Sequence, residues 1–188
     1  MRKVIEATFV TLDGIINDTI PSTAPQAQPQ KWGAPYWDDD HMNYAHKLLF
    51  ASDALLLGRV TYEGFAQAWT SRSGDFADRI NSLPKHVASR TLEGPLKWNA
   101  TLIAGDVAEE VARLKQQPGQ NILKYGTGEL DRTLMQHDLI DEFHFWMFPV
   151  AVGGGRRLFN GIDTTHLKLI DTTRFGSGIV VHTYAPNK

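Results

Sequence analysis

Residues 121–130 read NILKYGTGEL and carry the strongest single indication of the fold. An apolar run ends at Gly126-Thr127-Gly128, and apolar residues then return at helical spacing, with Leu130 and Leu134 four residues apart. This order predicts a strand, a tight turn and a helix. The N–H groups that open such a helix, together with the helix dipole, favour an anion beyond the strand end. The turn is therefore either a phosphate site or a simple reversal of the backbone, since glycine takes positive φ without steric cost.

The same alternation of strand and helix extends through most of the chain. The predicted strands span residues 3–9, 54–57, 86–89, 101–104, 122–125, 142–150, 167–172 and 179–184, and the predicted helices span 39–52, 106–117 and 129–137, with a weaker helix after Arg59. Alternating strands and helices require parallel crossovers, whereas the last three strands are joined by short turns and pair antiparallel. The sequence predicts one α/β domain over residues 1–188. Its sheet is mixed, mostly parallel and eight-stranded, with helices on both faces and an antiparallel C-terminal end.

Composition excludes several classes of protein. The chain has 188 residues, 42% of them hydrophobic, which is enough for one domain with an ordinary core. With 0 Cys it has no disulfide or thiolate metal site, and its formal charge of -2 gives no general attraction to nucleic acid or an acidic membrane. The first residues, MRKVIEATFVTLDG, carry Glu6 within an apolar stretch and are not a signal peptide, and no apolar run approaches the ~20 residues of a membrane span. We expect a cytoplasmic protein.

Histidine spacing predicts no metal site. His41 and His46 are five residues apart, so they do not share a helix face as the four-residue spacing of a zinc helix requires. The other histidines are scattered along the chain.

Residues 19–36 form the one long segment without a period. It holds four of the nine prolines, and its composition is typical either of a domain linker or of a lid beside a site. Only eighteen residues precede it, which favours the lid, with Trp32, Tyr36 and Trp37 as the apolar surface that would cover a bound ring.

Three predicted strands end in small, hydroxyl or guanidinium groups. The endings are Gly58-Arg59-Val60-Thr61, Ser89-Arg90-Thr91 and Tyr125-Gly126-Thr127-Gly128. In open α/β sheets, ligands bind beyond the carboxyl ends of the strands. Arginine supplies a rigid fork of donors for phosphate oxygens, and serine or threonine adds neutral donors. Two arginines and a glycine turn suit a ligand with phosphates at separate points, as in a dinucleotide.

These motifs, in their order, resemble the dihydrofolate reductase-like family. Within it, the chain is similar to stand-alone relatives of the C-terminal reductase domain of the bifunctional riboflavin-biosynthesis deaminase-reductase. The likeness covers nearly the whole chain and is carried by TLDG (11–14), LGRVTYE (57–63), SRT (89–91), YGTG (125–128), LIDE (139–142) and PVAVGGG (149–155) with Leu158-Phe159. The chain departs from the family in having Thr11 where serine is usual, and it lacks the deaminase half with its zinc cysteines.

The resemblance implies an NADPH site across the strand ends. It places Gly58, Arg59, Thr61, Ser89, Arg90 and Thr91 at the adenosine side and its 2′-phosphate, and Tyr125, Gly126, Thr127, Gly128, Glu129 and Leu130 at the pyrophosphate. It also implies a substrate end with Asp13, Trp37, Gly153 and Gly155, catalytic carboxylates at Asp13 and Asp40, and a homodimer.

Each of these roles has a structural alternative. Asp-Gly at 13–14 is a common turn pair, and three aspartates before a helix, Asp38 to Asp40, are typical of capping. Gly153 to Gly155 are also explained by a flexible turn, and Arg59 and Arg90 by surface ion pairs with Glu63 or Glu93. Residues 143–148 alternate apolar side chains, which indicates a strand buried on both faces or, if one face is exposed, a dimer surface.

Two functional hypotheses follow. The first is an NADPH-dependent reductase that transfers hydride to a small heterocyclic, imine or carbonyl substrate, with no nucleic acid or membrane partner. The second is a non-catalytic module that binds a nucleotide or pterin on the same fold.

Overall fold

The computed structural model describes residues 1–17 and 32–187, which form an eight-stranded sheet, a two-stranded ribbon and five α-helices. The elements in chain order are β1 (Val4–Thr11), β2 (Ile15–Asn17), a short 3₁₀ turn (Ala34–Tyr36), α1 (Asp39–Phe50), β3 (Ser52–Gly58), α2 (Arg59–Trp69), α3 (Asp75–Ser82), β4 (Lys85–Ala88), β5 (Ala100–Leu102), α4 (Val107–Gln116), β6 (Asn121–Tyr125), α5 (Glu129–Gln136), β7 (Glu142–Phe148), β8 (Arg156–Arg157), β9 (Leu167–Arg174) and β10 (Val180–Pro186). The predicted lid falls mainly in residues 19–31, outside the described residues.

The strand order of the large sheet is β5-β4-β3-β6-β1-β7-β10-β9. Every pair from β5 to β7 is parallel, and the β7–β10 and β10–β9 pairs are antiparallel. This confirms the predicted mixed sheet with its antiparallel C-terminal end. The six parallel strands therefore end at one edge of the sheet, which is where a ligand is expected.

The helices cover both faces of the sheet, as predicted. One cluster of buried side chains joins Leu49 of α1, Tyr62 of α2 and Ile80 of α3 to the sheet. The opposite cluster includes Val111 of α4 and Leu134 of α5. Strand β7 contributes to both clusters, and its residues are mostly buried. Core packing thus explains its alternation, and it has no free face for a dimer.

Three short elements were not predicted from the sequence. Helix α3 buries only Ala77 and Ile80, too few apolar positions to establish a period. Strands β2 and β8 have three and two residues and pair with each other across more than a hundred residues of sequence. Strand β7 ends at Phe148, earlier than predicted, because Pro149 has no N–H to donate.

No helix in the described part of the chain is long and apolar enough to cross a membrane. Within residues 1–17 and 32–187, no three His, Asp or Glu side chains come together as a metal site would require.

Candidate active site

The sheet brings the three predicted strand endings together at its carboxyl edge. Gly58 of β3 lies opposite Ala88 of β4, and Leu57 of β3 lies opposite Tyr125 of β6. The neighbouring β1 ends at Thr11. From β4 to β1, the loops that follow these strands therefore form one continuous row, with the glycine turn of residues 126–128 in its middle.

Gly126 is required at its position for two reasons. Its φ is +76°, a conformation that side chains with a Cβ rarely adopt. A Cβ built on Gly126 would also lie 2.5 Å from Oγ1 of Thr61, in the first turn of α2. The glycine turn and the start of α2, where Gly58 is the N-cap, are thus packed directly together.

The adenosine-side residues lie at the surface, where a ligand can reach them. Arg59 pairs with Glu63 one helical turn on, with 3.0 Å between Nη1 and Oε2, and both side chains are about half exposed. Arg90 and Thr91 are exposed, and Ser89 Oγ accepts hydrogen bonds from the N–H groups of Thr91 and Leu92. The ion-pair alternative is therefore realised for Arg59, whereas Arg90 has no ion pair within residues 1–17 and 32–187.

The side chains at the two ends of the predicted pyrophosphate segment point elsewhere. The Tyr125 ring packs on Phe65 of α2 with centroids 5.3 Å apart, and burial raises the pKa of its hydroxyl. Leu130 packs against the core beneath α5. Glu129 is exposed and faces Arg132 at 3.7 Å. Because the side chains of Tyr125 and Leu130 pack against the protein, these two residues can contribute only their backbone to the site.

A buried cluster of charges lies beneath the glycine turn, and sequence reasoning missed it. Lys124 of β6 pairs with Asp131 of α5 at 2.5 Å, and its Nζ is 3.5 Å from Oε2 of Glu6 on β1. All three residues are at most 1% exposed. The hydroxyls of Thr8 and Thr127 lie 2.6 Å apart at the edge of the cluster. The sequence feature that could have indicated this cluster is the presence of two charged residues, Glu6 and Lys124, each inside an apolar strand.

The cluster has two carboxyl groups and one cation. Burial, together with the charge of Asp131, raises the pKa of Glu6 well above its usual range. Burial opposes the charged form of Asp131 as well, but Lys124 outweighs it and lowers the pKa of that carboxyl. The same carboxylates outweigh burial at Lys124 and raise its pKa. These pKa directions favour a neutral Glu6 beside a charged Lys124–Asp131 pair, an arrangement that leaves no net charge in the interior.

Arg156 approaches the glycine turn from the ribbon formed by β2 and β8. The ribbon formed by β2 and β8 places Arg156 so that a Cβ on Gly128 would lie 2.8 Å from its Nη2. The guanidinium group therefore lies over the start of α5. In the sequence, Arg156 follows a glycine run and is equally well explained as a solvated charge, so only the pairing with β2 reveals its position.

Asp13 joins the two loops at the substrate end. Its carboxylate accepts hydrogen bonds from Oγ1 of Thr11 at 2.5 Å and from the N–H groups of Gly153 at 2.8 Å and Val152 at 3.2 Å. The bond from Thr11, followed by that from Gly153, lowers the pKa of Asp13. Asp13 is therefore ionised and occupied in holding the loop of residues 149–155, which includes Gly155. This geometry favours a positioning role over proton donation.

Asp40, expected to be catalytic, contacts a turn of the protein instead. Its Oδ2 accepts the N–H of Gly176 at 2.8 Å, in the turn between β9 and β10. Asp38 caps α1 through the N–H of His41 and accepts the N–H of Ser177 with its other oxygen. Both carboxylates anchor α1 to this hairpin, and the catalytic role expected for Asp40 stays a prediction.

Aromatic side chains form a wall beside the ends of β1 and β7. Phe148 contacts Phe9, Trp32 and Tyr36, with ring centroids 5.2, 4.9 and 6.0 Å away. Trp37, predicted to bind substrate, is 56% exposed.

His41 lies buried behind Trp37. Burial lowers the pKa of its ring, and its Nδ1 has no hydrogen-bond partner among the described residues. The wall therefore offers apolar ring surface and few charges.

Comparisons with solved structures agree with the fold. Dihydrofolate reductase from Enterococcus faecalis complexed with NADP(H) is 16% identical and has a TM-score of 0.59, covering 99% of this chain and 97% of that one. The diaminohydroxyphosphoribosylaminopyrimidine deaminase/5-amino-6-(5-phosphoribosylamino)uracil reductase of Thermotoga maritima is 16% identical with a TM-score of 0.66, covering 98% of this chain and 56% of that one. At these identities the likeness shows a shared reductase fold.

Sequence relatives establish the family. The uncharacterized protein YwjB of Bacillus subtilis is 42% identical over 182 residues, which is 96% of this chain and 97% of the relative. Residues 2–181 match the family model described as the RibD C-terminal domain. The chain therefore belongs to the RibD C-terminal domain family and has the dihydrofolate reductase-like fold.

Proposed function

We propose that this protein is an NADPH-dependent reductase that transfers hydride to a small heterocyclic, imine or carbonyl substrate. The observation that carries the proposal is the convergence of the ends of β3, β4 and β6, with the glycine turn packed against α2 and Arg156 over Gly128. The Enterococcus faecalis reductase with the same fold is complexed with NADP(H), which supports this choice of cofactor.

The residues present fit a dinucleotide. The turn at 126–128 has no side chain on Gly126 or Gly128 to block a pyrophosphate, and Arg156 supplies a positive charge there. The amides of Glu129 and Leu130 belong to the first turn of α5, whose N–H groups have no partner within the helix. Arg90, with Ser89, would hold the 2′-phosphate.

When bound, the cofactor supplies the hydride, so the chain has to bind, orient and shield the reactants. Asp13 holds the loop at Val152 and Gly153 against the end of β1, which sets the width of the cleft at its substrate end. The wall around Phe148 and the exposed Trp37 offers a surface on which a planar substrate can stack, and it excludes water from the ring.

Isothermal calorimetry with NADPH tests the cofactor assignment directly. We expect binding at micromolar cofactor, stronger for NADPH than for NADH. No heat at millimolar NADPH would refute the proposal. The reaction is then tested by NADPH oxidation with dihydrofolate, 5-amino-6-(5-phosphoribosylamino)uracil and a panel of carbonyl compounds.

A non-catalytic nucleotide- or pterin-binding module is the second candidate. The observation in its favour is that Asp13 and Asp40, the two expected catalytic carboxylates, both accept hydrogen bonds from the protein's own backbone. Tight NADPH binding without oxidation by any compound of the panel would favour the module. Turnover with any of them would favour the reductase.

A further inference from the structure

We propose that Glu6, Lys124 and Asp131 are positioning residues that set the backbone of the glycine turn for the pyrophosphate of a dinucleotide. The proposal rests on the proposed function, because it assigns the turn to that ligand. These residues lie beneath the turn and act through its atoms. Arg156 and Arg90, by contrast, would contact the ligand directly from the surface.

Each residue of the turn is held by a different member of the cluster. Lys124 Nζ donates to the carbonyl oxygen of Gly126 at 2.5 Å, Thr127 Oγ1 donates to Glu6 Oε1 at 3.1 Å, and the N–H of Gly128 donates to Asp131 Oδ2 at 2.5 Å. The carbonyl of Gly126 and the hydroxyl of Thr127 are thereby turned inward. A turn of two glycines would otherwise be the most mobile part of the site, since glycine has the widest choice of backbone conformations.

The three positioning residues come from different elements. Glu6 is on β1, Lys124 on β6 and Asp131 on α5. The cluster therefore connects the glycine turn to two strands and to the helix that follows it. Buried charges of this kind rarely stabilise a fold more than apolar side chains of the same volume would. Their value here is geometric, because the hydrogen bonds to the turn are directional.

The chain contains a matched control at the opposite edge of the sheet. Lys115 is 5% exposed and pairs with Asp141 at 2.6 Å, near the amino end of β1, where Asp141 also accepts the N–H of Val4. Replacing Lys115 by Met removes a buried cation as replacing Lys124 does. Lys115 contacts no residue of the glycine turn.

The test measures binding of three ligands to the Lys124→Met and Lys115→Met variants by calorimetry or NMR titration. For Lys124→Met we expect the Kd values of NADPH and NADH to rise by the same factor, about 10- to 100-fold, because both contain the pyrophosphate. Adenosine 2′-phosphate lacks the pyrophosphate, so its Kd should change by less than about twofold. Lys115→Met should leave all three values within about twofold of wild type.

If Lys124→Met does not fold, the double variant Lys124→Met/Asp131→Asn removes the pair together and leaves no buried charge unpaired. We expect the same equal loss for NADPH and NADH.

Amide exchange of Gly128, followed by NMR without ligand, gives a readout independent of cofactor binding. We expect slow exchange in wild type and in Lys115→Met, and faster exchange in the double variant. Wild type that binds no NADPH but shows this pattern would refute the proposed function and leave the positioning of the turn supported. Unchanged exchange, unchanged dinucleotide affinity, or a matching loss for adenosine 2′-phosphate would overturn the positioning role.

Discussion

Gly126 shows at the scale of one residue how backbone freedom and close packing act together. We expect Gly126→Ala to destabilise the protein more than Gly14→Ala. Both have positive φ, +76° and +80°, which costs about 1–2 kcal/mol for alanine, but a Cβ on Gly14 meets nothing within 4 Å. The additional loss of unfolding free energy in Gly126→Ala, measured by urea unfolding, should become smaller when Thr61→Ala is combined with Gly126→Ala. Equal losses for the two alanine variants would show that the contact with Thr61 is unimportant.

Arg90 is the residue through which the cofactors should be distinguished. NADPH and NADH differ by one 2′-phosphate, and a hydrogen bond to a charged group contributes roughly 1.5–3 kcal/mol. We expect Arg90→Ala to weaken NADPH binding by that amount and leave NADH nearly unchanged, as measured by calorimetry. Arg59→Ala should act in the same direction but more weakly, since Arg59 first has to leave Glu63. An equal loss for both cofactors would place these arginines at the pyrophosphate.

At the scale of elements, Asp40 joins α1 to the β9–β10 hairpin. We expect Asp40→Ala to lower the free energy of unfolding by about 0.5–1.5 kcal/mol through loss of the bond from Gly176. Turnover per folded molecule should be retained. Asp38→Ala removes a helix cap as well and should cost about 1–2 kcal/mol. Loss of turnover in Asp40→Ala, with unfolding unchanged in urea, would favour a catalytic role for Asp40.

The contact of β1, β6 and α5 predicts a pH dependence of stability. Because the pKa of Glu6 in the folded protein is raised above its ordinary value of 4.5, the folded state binds more protons than the unfolded chain above that pH. The contribution of Glu6 to the stability of the folded protein is therefore present at low pH, and it is lost as the pH rises from 4.5 toward the raised pKa. The slope approaches about 1.4 kcal/mol per pH unit.

Glu6→Gln removes this titration. The unfolding free energy of wild type minus that of the variant should therefore decrease from pH 5 to pH 7, as measured in urea. The contribution of Asp131 has the opposite sign, because its pKa is lowered, and is lost only as pH falls below its ordinary value of 3.8. A difference that is constant with pH would mean that Glu6 is ionised in the folded protein.

At the scale of the whole molecule, we propose a homodimer that covers β9. This edge strand is eight residues long and mostly exposed, with Leu169 and Ile170 50% and 54% exposed. We expect sedimentation velocity to show a dimer that Leu169→Lys/Ile170→Lys converts to a monomer. Met42→Lys, at a residue 47% exposed on α1, should not do so. A wild-type monomer at micromolar concentration would refute this proposal.

Local patterns were sufficient to predict most of the fold. The alternation of strand and helix before residue 137, and the short turns after it, predicted the parallel and antiparallel parts of the sheet correctly. The position of the glycine turn, together with the endings at Gly58 and Ser89, predicted that these loops lie at one edge of the sheet, as they do. Such features depend on side-chain period and on turn residues, which are properties of short stretches of sequence.

Short stretches of sequence therefore determined the sheet, the helices on its faces and the edge at which the loops of the candidate site meet. Tertiary structure alone decided how the polar side chains of that edge are paired. The bond from Thr127 to Glu6 joins residues 121 positions apart, and the bond from Gly176 to Asp40 joins residues 136 apart. A local pattern shows that Glu6 is charged and Asp40 can cap a helix, but a hydrogen bond needs its partner within about 3 Å. Only the packed chain brings those partners together, so only the fold makes Glu6 a support of the turn and Asp40 an anchor of α1.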